Sequence, residues 1–286
     1  MKSFRSSRRL GARLALGFLA VLILLPLLFT AVYSFLSPEE TRDYMALRNN
    51  FRPDALMEIR LAPRRASLVQ YWQLLITDRS ILHYFANSAS YALLILAGQL
   101  LILPAFAFAL SCFRFRGRDV IAFLVVLLMV LPFQVTMVPN VLTLRELNLL
   151  DTRWAVVLPM VIWPFGVFLL RQFLLMMPKD MLEAAQLDGA GAMRAFLHVV
   201  LPASRPAVGA LAALSFAESW NMVEQPLACL PVRQDLLPLS TVFGQMSNRI
   251  TGIEFAGAVL FILPSLFVYL YFQQDIVEGL QLGEIK

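Results

Sequence analysis

The residues best suited to chemistry lie in one short stretch, 183–202, with the sequence EAAQLDGAGAMRAFLHVVLP. Glu183 and Asp188 supply carboxylates, while Gly189 and Gly191 allow a helix break and the close approach of another backbone. Carboxylates at such positions can pair with cations on another protein. We interpret the stretch as a docking element for a cytoplasmic partner. The alternative is an ordinary amphipathic hairpin that stabilises its own protein.

Motifs for catalysis and for nucleotide binding are missing from the sequence. There is no G-x-x-x-x-G-K-[ST] phosphate-binding loop, no G-x-S-x-G nucleophile elbow and no obvious Ser/His/Asp set. His83 and His198 are the only histidines, and neither belongs to a His/Cys cluster. The sequence therefore predicts a chain without enzymatic activity, metal site or cofactor.

The elements that must position the 183–202 stretch are membrane-spanning helices. Of the 286 residues, 59% are hydrophobic and 15% are charged, and the mean hydropathy is +0.71. A bilayer crossing needs about 20 apolar residues. The sequence predicts an all-α membrane protein with six transmembrane helices. The fifth span has the weakest apolar pattern, because Glu218 and Glu224 interrupt it. The predicted spans are 14–36, 87–113, 120–144, 154–170, 206–226 and 255–274.

The distribution of positive charge predicts the orientation in the membrane. Five cations precede the first span, and no small-residue cleavage site precedes Pro38, so we expect this span to be a retained anchor rather than a signal peptide. With both termini in the cytoplasm, inner segments hold 13 Lys and Arg and the two short outer loops hold 4. The long first loop holds 7 more Lys and Arg, which weakens the asymmetry between the two sides.

The net charge of +5 therefore reflects the orientation of the chain in the membrane rather than a surface that binds nucleic acid. On this topology Cys112 and Cys229 lie at opposite faces, so no disulfide is expected.

The predicted organisation is a single membrane domain over 14–275. A cytoplasmic N-terminus, 1–13, precedes it, and a cytoplasmic tail, 276–286, follows it. An outer loop, 37–86, has enough apolar residues around Trp72 for a short amphipathic helix at the outer surface.

The inner loop 178–202 has the features of two short helices joined by a turn. Pro178 suits the start of the first helix, where Asp180 favours the positive end of the helix dipole. The two glycines break this helix, and we expect a second helix from residue 192 to 200 that ends at Pro202. Prolines inside several spans suit helices that move, but they are also common in spanning helices generally.

The 178–202 loop carries a family resemblance. Glu183-Ala184-Ala185, Gly189 and Leu201-Pro202 resemble the E-A-A…G…L-P signature of bacterial ABC importer permeases. The longer pattern E-A-A-x-x-D-G-A is similar to carbohydrate permeases, specifically the six-helix partner in maltose-type systems. Trp220-Asn221 and the C-terminal residues 279–286 extend the resemblance. It implies a type I importer fold of the MetI-like kind in a bacterial inner membrane.

The resemblance also implies roles for individual residues. The coupling loop, residues 178–202, would insert into a cleft on an ATPase subunit, with Glu183 facing a cation there and Gly189 permitting the close turn. The tail would reach the same subunit. The implied contact residues are Glu183, Ala184, Ala185, Asp188, Gly189 and Ala190 in the loop, and Gly279, Gly283 and Lys286 in the tail.

The resemblance finally implies partners and a solute. The partners would be a second homologous permease, two ATP-binding subunits that hold ATP and Mg, and an extracytoplasmic solute-binding protein. The solute would be a sugar or oligosaccharide, with Glu218, Trp220, Asn221 and Glu224 as candidates for its pathway.

The sequence departs from the family at two places. The segment 222–227 is MVEQPL, where the family has an Asp, an aromatic residue and then W-P-L, and the family's final glycine is missing after Lys286. Two alternatives stay open. The same machinery could carry glycerol phosphate or another polar solute, or the chain could be an ion-coupled secondary transporter, although inverted repeats and intramembrane charge pairs are not evident.

Overall fold

The computed structural model of the protein describes residues 2–49, 62–77, 80–246 and 253–281. Within these ranges the regular structure is helical, as the sequence predicts. The α-helices are α1 Lys2–Tyr33, α2 Pro38–Asn49, α3 Val69–Trp72, α4 Ser80–Cys112, α5 Arg118–Val130, α6 Phe133–Glu146, α7 Arg153–Val161, α8 Pro164–Met176, α9 Lys179–Leu187, α10 Ala192–Ala195, α11 Leu201–Ala203, α12 Arg205–Asn221, α13 Glu224–Cys229, α14 Leu239–Met246 and α15 Ile253–Gln281. The remaining helical turns are the π-helical Gln73–Thr77 and Phe196–Val200 and the 3₁₀ turn Gln234–Leu236.

The described residues contain four helices that are long and apolar enough to cross a membrane, or six if each bent helix pair counts as one span. The four are Arg13–Tyr33, Ser80–Cys112, Arg153–Met176 and Ile253–Gly279. The count agrees with the six predicted spans. The predicted boundaries are too narrow, because α4 begins at Ser80 instead of residue 87 and α15 begins before residue 255 and continues past residue 274.

The third predicted span is not one straight helix. Residues 120–144 are divided between α5 and α6, whose axes meet at 108°. The break lies at Leu131 and Pro132, both of which have extended backbone (ψ 130° and 141°). A residue before proline is pushed out of the helical region, so the break follows from Pro132.

The fifth predicted span ends earlier than expected. Residues 206–226 were predicted as one helix, but α12 stops at Asn221 and α13 is a separate short helix. The Asn221 side-chain amide donates to the Ala217 carbonyl (2.8 Å), and the Ser240 hydroxyl donates to the Met222 carbonyl. The Met222 carbonyl follows the last helical residue and has no partner within the helix, so the bond from Ser240 satisfies it and α12 can end before Pro226.

Contacts group the chain into two units, Met1–Leu82 with Gln245–Leu263, and His83–Gly244 with Pro264–Lys286. In the first unit, the Gln70 side-chain amide donates to the Tyr33 and Leu36 carbonyls (3.1 Å each) at the end of α1. Gln70 and Leu74 are buried while Trp72 is exposed. A helical segment therefore exists at the predicted place, over Val69–Thr77, but its exposed face carries the apolar Trp72 and Ile76. Its position at the outer membrane surface stays a prediction. The helix α2 in the same predicted outer loop was not expected.

The second unit has its core between α4, α5, α8 and α12. The helix pairs α5–α8 and α8–α12 are in contact, and their buried side chains form one hydrophobic cluster. The largest fully buried members are Leu103, Leu110, Leu170 and Leu211. This core supports the inner loop and the cavity described below.

Helix ends that the sequence places on the outer side do come together in the second unit. Near the start of α4, the Asn87 amide donates to the Asp235 and Leu237 carbonyls (2.8 and 3.1 Å). The Asp151 carboxylate accepts from the amides of Val232 and Arg233 (2.9 and 3.1 Å). The hydrogen bond from Arg233 also lowers the pKa of Asp235 below its ordinary value. Three segments that are distant in sequence therefore form one polar end.

Candidate functional site

The first helix of the coupling loop, α9, has a clear start and stop. Pro178 precedes it with φ −57°, and Asp180 lies in its first turn. At its end the Ala190 amide donates to the Ala185 carbonyl (2.9 Å) and the Gly189 amide donates to the Gln186 carbonyl (3.0 Å). These two bonds make a Schellman motif, in which the residue after the helix adopts the left-handed conformation. Gly189 is that residue.

The two glycines of the loop have different backbone requirements. Gly189 has φ +79°, which strains any residue with a Cβ. Gly191 has φ −67° and ψ 165°, which every residue adopts. A Cβ added at either glycine would meet no atom within 4 Å. The chain itself therefore needs a glycine at 189 for its turn, and the space beside both residues is open.

The outer face of the loop combines carboxylates with exposed apolar side chains. Glu183, Ala184 and Asp188 are exposed, whereas Ala185 is buried against this chain. Leu187 is 89% exposed and Met193 is 69% exposed, although both lie on an otherwise ordered helix–turn–helix. The sequence had identified the carboxylates, and it had placed Leu187 on an apolar stripe of the helix, but it did not predict that Leu187 and Met193 are exposed. Exposed apolar groups next to charges are typical of a surface that another protein covers.

The inner face of the loop is joined to the core. Leu182 of α9 and Phe196 of the following π-helical turn pack against the hydrophobic cluster. The ring of Phe196 lies 5.2 Å, centroid to centroid, from that of Phe108 on α4. The loop is therefore joined to α4 and its neighbours by packed side chains.

The prediction that Pro202 ends the second loop helix is wrong. Helical structure continues through α10, the π-helical turn Phe196–Val200 and α11, and it bends by 74° only where α12 begins. The π-helical turn shifts the hydrogen-bond register just before the proline, so its missing amide does not stop the helix. The bend follows Ser204, whose ψ is 7°.

A cavity of about 430 Å³ lies among the third, fourth and fifth spans. Its described lining is mostly apolar, with Glu218 as the one titratable side chain. Its described polar residues besides Glu218 are Thr136, Asn140 and Gln225, and its aromatic residues are Phe133, Trp163 and Phe165. The volume lies within the range of about 300–1,000 Å³ that is usual for small-molecule sites.

One wall of this cavity is a helix broken by proline. Pro164 cannot donate to the Met160 carbonyl, and Pro159 cannot donate to the Ala155 carbonyl, four residues earlier in each case. The Gln99 amide donates to the Met160 carbonyl (2.7 Å), and the Gln225 amide donates to the Ala155 carbonyl (3.3 Å). Two glutamines from other helices thus satisfy the freed carbonyls. The sequence interpretation missed both, although a glutamine within an apolar run was the available signal.

The other candidates for the solute pathway do not line the cavity. Trp220 is buried and stacks on Phe216, with ring centroids 5.4 Å apart. Asn221 is exposed at the end of α12, and Glu224 accepts hydrogen bonds from Gln134 (3.1 and 3.2 Å). The structure brings only Glu218 of the four to the cavity, and their roles in transport stay predictions.

The tail residue Gly279 packs within this chain. It is buried against α12, where an added Cβ would lie 2.9 Å from the Ala210 Cβ. Gly283 and Lys286 lie outside the described residues. Among the described residues, no group of three or more His, Cys, Asp or Glu side chains is placed to hold a metal ion.

The coupling loop, the cavity and the broken spans all fall within a segment that matches a known family. The model of the family described as binding-protein-dependent transport system inner membrane component matches residues 101–274. The chain belongs to this family. It is therefore a multi-pass inner-membrane permease of an ABC importer, which works with an ATPase and a solute-binding protein.

Curated relatives of this permease are named for the transport of two oligosaccharides and one phosphorylated solute. The arabinooligosaccharides transport system permease protein AraQ of Halalkalibacterium halodurans is 32% identical over 71% of this chain and 74% of its own length. The diacetylchitobiose uptake system permease protein NgcG of Streptomyces coelicolor is 33% identical over 73% of this chain and 72% of its own length. The sn-glycerol-3-phosphate transport system permease protein UgpE of Yersinia pestis is 32% identical over 68% of this chain and 70% of its own length.

The fold of the permease matches that of a solved importer. A chain of a bacterial ABC transporter involved in the import of the acidic polysaccharide alginate superposes with a TM-score of 0.77 at 24% identity. The match covers 94% of this chain and 97% of the other. The expectation of an importer permease fold is thus confirmed.

Proposed function

We propose that this permease moves a sugar or oligosaccharide into the cytoplasm by alternating access driven by a separate ATPase. The observation that carries the proposal is the coupling loop, whose outer face exposes Glu183, Leu187 and Met193 while its inner face packs on the core. A loop with one face open to a partner and the other joined to the spans suits the transmission of force.

Coupling would proceed through packed contacts. The ATPase would hold the outer face of the loop, and closure of its ATP-bound form would pull α9 and the turn after it. Leu182 and Phe196 would pass this displacement to α4 and α8. The spans would then rock from an inward-open to an outward-open arrangement.

The assembly proposed around this chain has a defined composition. It comprises a second homologous permease, two ATP-binding subunits and an extracytoplasmic binding protein that delivers the solute. Both termini of this chain are cytoplasmic, as its positive charges favour. The chain performs no chemistry and holds no cofactor, while ATP and Mg bind to the partner ATPase.

The solute class is supported by the names of the relatives. AraQ and NgcG are named for oligosaccharide uptake. Glycerol phosphate is the second candidate solute, because UgpE and AraQ have the same sequence identity to this chain, 32%.

Copurification of the ATPase from mild detergent tests the docking role of the loop. We expect Glu183→Lys to reduce the recovered ATPase at least tenfold, because it reverses the charge that faces the partner. Gly189→Val should have a similar effect, because a β-branched residue is poorly tolerated at φ +79°. Gly189→Asn should retain the ATPase, since asparagine tolerates the left-handed conformation.

Gly191→Ala is the matched control, because its backbone is ordinary and the space beside it is open. Unchanged ATPase recovery with both Glu183→Lys and Gly189→Val would contradict the docking role. Uptake by the chain alone in liposomes without ATP would contradict the whole proposal and favour an ion-coupled transporter.

A further inference from the structure

Glu218 has an unusual position for an acidic residue. It lies on the fifth span and faces the cavity, and its carboxylate makes no hydrogen bond or ion pair with any described residue. A charged side chain within a membrane span is costly and is generally retained for contact with ions, water or substrate. Nothing in the described part of the fold needs this charge, so the charge points to a ligand.

The rest of the cavity has the chemistry of a polyol site. Carboxylate oxygens accept hydrogen bonds and cannot donate them, so they suit solute hydroxyl groups. The Asn140 amide also faces the cavity without a hydrogen bond to a described residue, and an amide both donates and accepts. Trp163 and Phe165, with ring centroids 5.1 Å apart, supply flat apolar surfaces for the C–H faces of a sugar ring.

The same cavity is unfavourable for anions. No Lys, Arg or His is among its described lining residues, so a phosphate or uronate would find no cation there. It would instead meet the Glu218 carboxylate, which repels another anion. Like charges brought together at a binding surface reduce affinity by at least tenfold.

We propose that Glu218 makes this permease selective for a neutral, hydroxyl-rich solute and excludes phosphorylated and uronate solutes at the cavity. This inference rests on the proposed function, since it takes the cavity to be part of the solute pathway. In this selectivity the chain would differ from the glycerol phosphate permease UgpE and from the alginate importer that has the same fold.

The first test is a solute panel with the whole transporter. The permease is reconstituted in proteoliposomes with its cognate second permease, ATPase and binding protein. The neutral probes are an arabino-oligosaccharide and diacetylchitobiose, and the anionic probes are glycerol 3-phosphate and an alginate oligosaccharide. We expect ATP-dependent uptake of a neutral probe only. Uptake of an anionic probe would overturn the inference.

The second test changes Glu218 while the binding protein is saturated with the transported probe. We expect Glu218→Gln to lower the amount of neutral solute moved per ATP hydrolysed by roughly tenfold, because a charged acceptor is lost. Glu218→Asp should retain most of the transport, since it keeps the carboxylate. Glu146→Gln is the matched control, because Glu146 is exposed at the end of α6 and away from the cavity.

The outcomes separate this inference from the proposed function. If Glu218→Gln transports like Glu146→Gln, the selectivity role is wrong although the importer function stands. If Glu218→Gln reduces the amount of second permease that copurifies, Glu218 is a subunit contact and the inference is again wrong. If the ATPase fails to assemble with the wild-type chain, or no probe of either class enters with ATP, the proposed function itself is wrong.

Discussion

Gln99 shows how one side chain can set the geometry of a membrane helix. It is buried in α4, and its amide reaches the Met160 carbonyl that Pro164 leaves without a donor. In lipid an unsatisfied carbonyl is costly, so a hydrogen bond from a neighbouring helix helps a proline break to persist. The break between α7 and α8 is therefore stabilised from another helix, next to the cavity.

A double-mutant cycle on Gln99 and Pro164 tests this pairing. Gln99→Leu should lower the free energy of unfolding by about 1 kcal/mol, because the Met160 carbonyl loses its donor. In a Pro164→Ala background residue 164 regains an amide, so the same change should cost markedly less. Thermal unfolding in detergent measures both effects. Additive effects of the two substitutions would show that Gln99 acts by another route.

Within the second unit, α12 and α15 approach each other closely. An added Cβ on Gly209 would lie 2.6 Å from the Asp275 Cγ, and one on Gly279 would lie 2.9 Å from the Ala210 Cβ. Small residues at such points let helix backbones pack tightly where lipid provides no hydrophobic driving force. The helix that follows the coupling loop is thereby held against the C-terminal helix.

Alanine substitutions at glycines test this close approach. Gly209→Ala and Gly279→Ala should each lower the free energy of unfolding by about 1–3 kcal/mol, because the new methyl group overpacks the contact. Gly17→Ala is the control, since a Cβ there meets nothing within 4 Å and alanine favours helix. Melting temperatures in detergent provide the measurement. Equal stability of all three variants would show that α12 and α15 do not pack this closely in the protein.

At the scale of the whole molecule, the question is which polar ends of the second unit face which side of the membrane. Asn87, Asp151 and Asp235 belong to one polar end, and the coupling loop packs near Phe108, towards the other end of α4. The charge distribution predicts that the first of these ends is extracytoplasmic.

Labelling with a membrane-impermeant maleimide tests this orientation in a chain whose Cys112 and Cys229 are replaced by alanine. Val232 and Leu187 are 76% and 89% exposed, so a cysteine at either position should react when its side is accessible. Val232→Cys should be labelled in right-side-out vesicles, and Leu187→Cys only in inverted vesicles stripped of ATPase. The reverse pattern would contradict cytoplasmic termini.

The sequence by itself determined the class of protein and the place of its coupling loop. Apolar length determines a span because the bilayer thickness is fixed, and Gly189 marks a turn because the left-handed conformation excludes most side chains. Local patterns of this kind need no knowledge of the rest of the chain.

Only the tertiary structure decided where the spans break and which polar residues meet. Gln99 and Gln225 satisfy carbonyls 61 and 70 residues away in sequence, and no local pattern contains such pairings. The same holds for the candidate site, where Glu218 reaches the cavity while Trp220, two residues later, is buried in packing. Both residues lie on α12, and the neighbouring helices decide which face of α12 lines the cavity and which is buried. Burial depends on contacts between distant parts of the chain, which a local sequence pattern does not contain.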